Sequence, residues 1–147
     1  MATTTPTPNT NYTLSNTYTG TSQLFSSSPS KDPTLTRSIS PSPHNRVYFT
    51  PTSTPNYFRI HTRALGDNYS LDVTNDAGVE STKLHFAETG DFSGQFWRLH
   101  GWGDGTVKLS NMFTGEGAHL DVYADSQVPF LGRDDHSGQH WTVVKAN

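Results

Sequence analysis

Two sets of residues in this chain contain a carboxylate, an amide and an indole within the same two short motifs. Each set has an aspartate within a Leu-Asp-Val motif and a glutamine and a tryptophan within Ser-Gly-Gln-x-Trp: Asp72, Gln95 and Trp97 in one, and Asp121, Gln139 and Trp141 in the other. A carboxylate accepts hydrogen bonds and an amide both donates and accepts them, so these residue types can bond to a polar ligand.

No arrangement of side chains in the sequence predicts an active site or a metal centre. No serine lies in a nucleophile motif, and the absence of cysteine excludes thiol catalysis and disulfides. The seven histidines lack the spacing of a metal-ligand set. Asp134 and Asp135 are adjacent, which is typical of a solvated turn rather than of paired catalytic carboxylates. We therefore expect a non-enzymatic protein without a metal or other cofactor.

The two sets belong to a longer internal repeat. Trp97 and Trp141 are 44 residues apart, and a period of this size indicates a repeat architecture. Upstream of them, residues 60–66 and 109–115 each begin with an apolar residue and end with glycine. In both copies the leucine of Leu-Asp-Val follows that glycine by five residues. Agreement without gaps over this distance indicates two copies of one unit.

A third, degenerate copy fits the N-terminal part of the chain. Residues 14–20 have the same apolar-to-glycine spacing, and Ser26 then stands where the other copies have aspartate. Arg46 and Tyr48 are placed where Gln-x-Trp has its glutamine and tryptophan. The first copy thus keeps the spacing but not the polar residues. The equivalent landmarks of the three copies are Gly20, Gly66 and Gly115.

Short β-strands are predicted to position these residues. Several segments alternate apolar and polar residues or are rich in aromatic and β-branched residues, and none shows a sustained helical period. In the second copy these segments are residues 57–60, 69–73, 82–86 and 95–99. About four strands per copy, in three copies, can close on themselves and leave no exposed sheet edge.

The length and composition favour one domain. The chain has 147 residues, and its three Trp, six Tyr and eight Phe can form a compact core although only 31% of residues are hydrophobic. We predict a flexible Thr/Pro/Asn-rich tail at 1–10 and a single domain at 11–147. Its repeats should span about 11–55, 56–103 and 104–147.

Several classes of protein are disfavoured by the same composition. The net charge is −3 with no basic cluster, which argues against nucleic acid as a partner. No apolar run approaches the length needed to cross a membrane, so membrane insertion is not expected. The N-terminus lacks a basic segment followed by an apolar one. We therefore expect a cytoplasmic or non-classically secreted protein.

The repeats resemble those of the ricin B-type (Q-x-W) β-trefoil lectins, from about Tyr12 to Val144. Leu-Asp-Val lies early and Gln-x-Trp late in the second and third copies, and the Ser-Gly-Gln-x-Trp form without cysteine is similar to the fungal branch of that family. The resemblance implies an all-β fold, a β-trefoil of three pseudo-repeats. It also implies shallow pockets, up to one per copy, for glycans of the galactose or N-acetylgalactosamine type.

Carbohydrate chemistry assigns roles to individual residues within this resemblance. A sugar presents hydroxyl groups and an apolar C–H face, so a site needs a carboxylate, an aromatic ring and a further polar group. The resemblance places the aromatic residue about fifteen residues after the aspartate and the polar group just before Gln-x-Trp, so the candidates in the second copy are Asp72, Phe86 and Asp91. In the third copy they are Asp121, Phe130, and Asp135 or His136. The first copy, which has Ser26 in the acidic position, is predicted to bind no sugar.

Some of these residues also have structural interpretations. Trp97 and Trp141 are expected in the core, where burying each side chain contributes about 2–3 kcal/mol. Gln95 and Gln139 are expected to orient the two aspartates, which could instead accept backbone N–H groups in turns. Phe86 fits the core as well as a sugar platform. Trp102, between two glycines, is a candidate exposed contact residue.

One feature departs from the family pattern. The family often has asparagine directly before the glutamine of Gln-x-Trp, whereas this chain has Gly94 and Gly138, which have no side chain to donate a hydrogen bond. This departure bears on the sugar preference and on sugar binding itself.

Three functions remain open from the sequence. The leading one is a lectin whose partners are glycans or glycoproteins. The second is a β-trefoil protease inhibitor acting through a loop such as the Pro-rich Ser38–Pro43. The third is a self-assembling scaffold, a homo-oligomer in which the N-terminal tail and the first copy form the association surface.

Overall fold

The computed structural model describes residues 5–37, 40–122 and 127–147, and within these ranges it contains twelve β-strands and three 3₁₀ turns. The first four strands are β1 (Tyr12–Asn16), β2 (Leu24–Ser27), β3 (Pro33–Thr36) and β4 (Val47–Pro51). The next four are β5 (Phe58–Thr62), β6 (Tyr69–Val73), β7 (Leu84–Glu88) and β8 (Trp97–Gly101). The last four are β9 (Val107–Asn111), β10 (Gly115–Asp121), β11 (Phe130–Arg133) and β12 (Trp141–Lys145). The 3₁₀ turns are Gly78–Glu80, Ser93–Gln95 and Ser137–Gln139. The prediction of an all-β chain with about four short strands per copy is confirmed.

Six of the strands form a closed antiparallel barrel. They are hydrogen-bonded in the order β9-β12-β1-β4-β5-β8, and β8 pairs with β9 to complete the ring. The first strand lies beside the last, with Leu14 opposite Val143. Closure of the ring pairs both edges of these strands, so the barrel exposes no free edge for association.

The other six strands form three hairpins, β2–β3, β6–β7 and β10–β11, that cap one end of the barrel. One backbone hydrogen bond joins each hairpin to the next around the axis: Phe86 N to Lys31 O (2.9 Å), Leu131 N to Thr82 O (2.9 Å) and Leu35 N to Gln127 O (3.0 Å). The donors are equivalent positions, and their side chains are at most 4% exposed. A six-stranded barrel capped by three hairpins with threefold pseudo-symmetry is a β-trefoil.

Backbone geometry supports the equivalence of the three copies. Gly20, Gly66 and Gly115 have φ angles of +80°, +73° and +92°, in the left-handed region that glycine adopts without strain. Each follows four residues after the end of a barrel strand. The spacing of these glycines in the sequence therefore reflects one tight turn used three times.

The alignment of the first copy requires a correction of one residue. Val47 begins β4 and pairs with Tyr12, just as Trp97 pairs with Phe58 at the start of β8. Val47, not Tyr48, therefore occupies the tryptophan position, and Asn45 occupies the glutamine position. A shift of one residue turns a strand side chain to the opposite face.

Tyr48 is buried on that opposite face. Its ring stacks on His61 with 4.9 Å between centroids, and its hydroxyl donates to the carboxylate of Asp67. Burial and this neighbouring carboxylate raise the pKa of Tyr48. These contacts explain why the sequence pattern, which favoured an aromatic residue at the core position, selected the wrong one.

The segment before β1 lies against the barrel. Asn9 N donates to Phe49 O (3.0 Å), and the guanidinium of Arg63 donates to Asn9 O (2.6 Å). Asn9 is thus hydrogen-bonded to β4 and to Arg63, while the flexible tail at 1–10 stays a prediction. Of the predicted inhibitor loop Ser38–Pro43, Ser38 and Ile39 lie outside the described residues. In the part of the chain that is described, no helix is long and apolar enough to cross a membrane.

Candidate functional site

A pocket of about 370 Å³ lies beside the β6–β7 hairpin. Its lining includes Asp72, Asp91, Phe92, Gly94 and Phe113. Asp72 comes from the end of β6 and Gly94 from the 3₁₀ turn before β8. The hairpin and this turn thus bring together two of the predicted residues, Asp72 and Asp91, which are distant in sequence.

A second pocket, of about 470 Å³, lies at the equivalent place beside the β10–β11 hairpin. Its lining includes Asp121, Phe130, Arg133, His136, Gly138 and Tyr18. Three of the predicted residues, Asp121, Phe130 and His136, therefore meet in this pocket. Both volumes lie within the roughly 300–1,000 Å³ typical of ligand sites.

Gln95 holds Asp72 in place. Its side chain is fully buried, and Nε2 donates to Asp72 Oδ2 (3.1 Å) and to Glu88 O (2.9 Å). Its Oε1 accepts a hydrogen bond from Gly90 N (3.0 Å). The amide is therefore engaged at both ends, which fixes the orientation of the carboxylate.

Gln139 plays the same part for Asp121. Nε2 donates to Asp121 Oδ2 (3.0 Å) and to Arg133 O (2.9 Å), while Oε1 is hydrogen-bonded to His119 Nδ1 (2.8 Å). Asp121 Oδ1 accepts the N–H of Val122 (2.8 Å), and the aspartate is only 5% exposed. The carboxylate is thus held rigidly at the floor of its pocket.

The two glycines before these glutamines are required by the aspartates. A Cβ atom at Gly94 would lie 2.5 Å from Asp72 Oδ1. At Gly138 a Cβ atom would overlap Asp121 Oδ1 and lie 2.7 Å from Val122 O. Any larger residue must displace the carboxylate or the backbone beside it. The departure noted in the sequence therefore permits the close approach of the aspartate, in addition to removing a side-chain donor.

The predicted platform Phe86 lies in the core. It is 4% exposed and packs edge-to-face against Phe25, with 6.3 Å between ring centroids. Strand register is the reason, because Phe86 is opposite Leu71 whereas His85 is opposite Asp72. Since neighbouring residues of a strand point to opposite faces, Phe86 faces inward and has no surface to offer a ligand. The exposed ring in this pocket is that of Phe92, which is 62% exposed.

The third copy places its aromatic residue differently. Phe130 is opposite Asp121 in the β10–β11 pairing, which is the position that His85 takes in the second copy. It is half-buried and lines the pocket. The register of the hairpin, rather than a count of residues after the aspartate, decides which side chain reaches the pocket.

The polar candidates separate into two groups. Asp91 and His136 line their pockets, and Asp91 Oδ1 lies 3.8 Å from Arg59 Nη2 in an ion pair whose carboxylate is exposed and whose guanidinium is mostly buried. Asp135 instead points to the ring of His140, with 2.5 Å between Oδ1 and Nε2. Of the two alternatives in the third copy, His136 is therefore the residue on the pocket.

His140 bridges two carboxylates beside the second pocket. Its Nδ1 lies 2.8 Å from Asp104 Oδ2, and its ring stacks on Trp102 with 4.4 Å between centroids. Burial acts to lower the pKa of His140, but the hydrogen bonds to Asp135 and Asp104 outweigh it and raise the pKa. Hydrogen bonds from Thr106, together with His140, hold the pKa of Asp104 at about 2. Bridging by His140 thus ties the β8–β9 turn to the loop before β12.

Trp102 is packed rather than free at the surface. Its Nε1 donates to Gln139 O (2.9 Å), and its ring meets His119 edge-to-face at 5.4 Å. Lys108 Nζ lies 4.7 Å from the centroid of the same ring. Trp102 therefore packs against Gln139 and His119, which lie next to Asp121, and it does not line the pocket of Asp72 or that of Asp121.

The first copy has a pocket of about 340 Å³ with different chemistry. Ser26 replaces the aspartate, and its hydroxyl is hydrogen-bonded to Thr36 Oγ1 (2.9 Å). The described lining also contains Thr34, His44 and Asn45, and it includes no carboxylate. Among the described residues, no group of three or more metal-binding side chains lies close enough to hold a metal ion.

Sequence reasoning missed two aromatic residues. Tyr18 and Phe113 line the pockets beside Asp121 and Asp72, respectively, although each belongs to the following repeat around the axis. Each stands two residues after an asparagine that ends a barrel strand, Asn16 or Asn111. That shared spacing is a signal in the sequence, but its relation to the pockets depends on the cyclic order of the fold.

Comparisons with known proteins agree with this architecture. No protein-family model and no curated protein matches the sequence. The designed threefold-symmetric protein ThreeFoil is similar with a TM-score of 0.77 and 20% identity, over 92% of this chain and 99% of that one. SeviL, in a structure bound to the asialo-GM1 saccharide, has a TM-score of 0.73 and 15% identity, over 94% of this chain and 98% of that one.

A lectin from Polyporus squamosus, bound to Neu5Acα2-6Galβ1-4GlcNAc, has a TM-score of 0.78 and 14% identity. The match covers 96% of this chain and 50% of the lectin. In three other similar structures, this chain spans only 17% to 33% of the longer protein. At these identities the likeness defines the class by fold: this chain is a β-trefoil protein.

Proposed function

We propose that this protein is a non-enzymatic lectin that binds glycans of the galactose or N-acetylgalactosamine type through its second and third repeats. The observation that carries the proposal is the repeated pocket: twice, a buried glutamine amide holds an aspartate carboxylate beside an aromatic side chain. The ricin B-type resemblance, including its fungal branch, belongs to the same proposal.

The chemistry of the pockets suits a neutral sugar. An ionised carboxylate accepts strong hydrogen bonds from hydroxyl groups, and the fixed amide behind it keeps the acceptor oxygens in one direction. Phe92 in the second repeat and Phe130 in the third provide apolar surface for the C–H face of a sugar. Asp91 and His136 are available to bond further hydroxyl groups at the rims.

The structural neighbours add support. The Polyporus squamosus lectin binds a glycan that contains Galβ1-4GlcNAc, and SeviL binds the asialo-GM1 saccharide. The corresponding partners of this chain would be glycans or glycoproteins, encountered in the cytoplasm or after non-classical secretion.

A glycan array tests the proposal directly. Wild-type protein should bind galactose-type glycans, and Asp72→Asn and Asp121→Asn should each weaken binding, because a charged acceptor at one pocket is lost. A hydrogen bond to a charged group contributes about 1.5–3 kcal/mol, so each altered pocket should lose roughly tenfold to a hundredfold in affinity. The double variant should lose the array signal.

Asp32→Asn is the matched control, because Asp32 is exposed and its Oδ2 accepts only a local hydrogen bond from Ser30 Oγ. It should bind as the wild type does. A folded wild-type protein that is silent across the array, or a double variant that binds normally, would contradict the lectin proposal.

A further inference from the structure

Two aromatic side chains occupy equivalent turns next to the pockets that contain Asp72 and Asp121, which we call the acidic pockets. Tyr18 follows β1 and Phe113 follows β9, each two residues beyond the asparagine that ends the strand. Asn16 Oδ1 accepts the N–H groups of Tyr18 and Thr19, both at 3.0 Å. Asn111 Oδ1 accepts those of Phe113 (2.9 Å) and Thr114 (3.4 Å). Both rings are thus presented by turns that a side chain holds closed.

These turns are bonded to the neighbouring pocket, not to the pocket of their own repeat. Met112 N donates to Phe96 O (2.9 Å), and Asn111 Nδ2 donates to Gly94 O (2.8 Å), directly beside Asp72. The equivalent bond on the other side runs from Thr17 N to His140 O (2.9 Å). Each acidic pocket therefore has one wall from its own repeat and one from the next repeat around the axis.

The third equivalent turn provides an internal comparison. Arg63 N donates to Arg46 O (3.0 Å) in the same way, but the residue at the aromatic position is Ala64. Ala64 N donates to Pro43 O (2.9 Å), which places this turn beside the pocket of the first repeat, where Ser26 replaces the aspartate. The aromatic ring is thus present at the two pockets that have a carboxylate and absent at the one without it.

We propose that Tyr18 and Phe113 form a second subsite in each acidic pocket, and that the ligand is therefore an oligosaccharide of at least two sugar units. The first unit bonds to Asp121 or Asp72, and the C–H face of the next unit stacks on the ring from the adjacent repeat. This inference rests on the proposed lectin function and names the size of its ligand. Tyr18 is 54% exposed, so its ring is open to a sugar that extends out of the pocket.

The experiment compares a monosaccharide with a disaccharide at one pocket at a time. Asp72→Asn leaves only the pocket with Tyr18, and Asp121→Asn leaves only the pocket with Phe113. In each background, titration calorimetry measures binding of methyl β-galactoside and of N-acetyllactosamine. Tyr18→Ala in the first background and Phe113→Ala in the second should reduce disaccharide affinity about three- to tenfold, as expected for loss of one aromatic stack. Monosaccharide affinity should be unchanged.

Exchanging the backgrounds supplies matched controls. Phe113→Ala with Asp72→Asn, and Tyr18→Ala with Asp121→Asn, should change neither affinity, because each ring then borders the inactive pocket. Tyr18→Phe should retain the disaccharide affinity, because stacking needs only the ring. Circular dichroism checks that each variant is folded.

The possible failures differ from one another. Equal loss of both probes would overturn the second subsite and place the ring in the primary one. An unchanged disaccharide affinity would overturn any role of the ring, while monosaccharide binding that depends on the aspartates would leave the lectin proposal standing. Absence of binding by the wild type to either probe and to the whole array would overturn the lectin proposal, and this inference with it.

Discussion

At the scale of single residues, the pocket depends on contacts that leave no room for a methyl group. The carboxylate of Asp121 accepts hydrogen bonds from Gln139 and from the N–H of Val122. Gly138 lies directly against both Asp121 and Val122. The arrangement makes a glycine as important for the carboxylate as the glutamine that bonds to it.

We expect Gly138→Ala to damage both the fold and the pocket. Its Cβ would overlap the carboxylate of Asp121 and the backbone of Val122, and forcing a methyl group into such a site costs about 1–3 kcal/mol. Urea unfolding should show that loss, and glycan binding by the third repeat should fall with it.

Gly117→Ala is the control for this substitution. A Cβ there would meet only the guanidinium end of Arg133, at 3.5 Å, which is an ordinary contact with a flexible side chain. Its stability should stay within about 0.5 kcal/mol of the wild type. Equal stability of the two alanine variants would show that Gly138 is not constrained as described.

The sequence indicates some of these residues more readily than others. Asp72 and Asp121 stand in Leu-Asp-Val motifs that follow Gly66 and Gly115 at the same distance, so their equivalence is visible without a structure. The choice between Phe86 and His85 depends on strand register, which changes the face of a side chain with each residue. Counting residues after an aspartate does not determine that register.

At the scale of elements, His140 links the loop before β12 to the β8–β9 turn by a hydrogen bond to Asp104. Both ring nitrogens of His140 face carboxylates, and Trp102 covers one face of the ring. In the second repeat the equivalent residue is Phe96, against which the guanidinium of Arg59 lies 5.3 Å from the ring centroid. At this position the first repeat has Arg46 and the second has Phe96, whereas the third has His140, a residue type that titrates near neutral pH.

We expect the contribution of the His140 hydrogen bonds to the free energy of unfolding to decline as the pH rises. The pKa of His140 in the folded protein lies above its ordinary value of 6.5, so the folded state binds this proton more tightly than the unfolded state does. Its contribution is full below pH 6.5 and is lost as the pH rises through the folded-state value. Other groups near the ring are Thr106 Oγ1, Lys108 and His119, the last two around Trp102.

The measurement is the difference in urea unfolding free energy between the wild type and His140→Phe from pH 5.5 to 8.5. A difference is needed because burial lowers the pKa of His61 and of His100, which produces the opposite trend in both proteins. The difference should shrink toward high pH. A constant difference for His140→Phe would refute the titrating bridge.

At the scale of the whole molecule, the two acidic pockets lie on different repeats and face different directions around the pseudo-threefold axis. Under the proposed lectin function, a single chain with two such pockets would join two glycan-bearing surfaces. Linked sites also gain avidity over a single weak site.

We expect the wild type to cross-link beads coated with N-acetyllactosamine. Asp72→Asn and Asp121→Asn should still bind the beads through the remaining pocket but should not cross-link them. Bead turbidity measures cross-linking, and light scattering after size-exclusion chromatography measures the number of chains per particle. Cross-linking by a monomeric single variant would show a further binding site and contradict the assignment of two pockets.

The fold follows from the sequence more completely than the pockets do. The period of the copies, the turn glycines and the absence of helical patterns together predict three units of about four strands, which is the observed architecture. The pockets depend on which repeat lies next to which around the axis. Tyr18 is more than one hundred residues from Asp121 in sequence, and no local pattern predicts that the two share a pocket.

Pairing of β1 with β12 has a consequence for how the chain is made. Tyr12–Asn16 is translated long before its partner Trp141–Lys145, and Ala146 N then donates to Asn11 O (2.8 Å). Until that later strand arrives, the barrel has an open seam between β9 and β1. Contacts between such distant parts of a chain form slowly. While the residues between the two strands are translated, β1 therefore lacks its main partner, so its exposure to chaperones and to misassembly is set by the speed of synthesis.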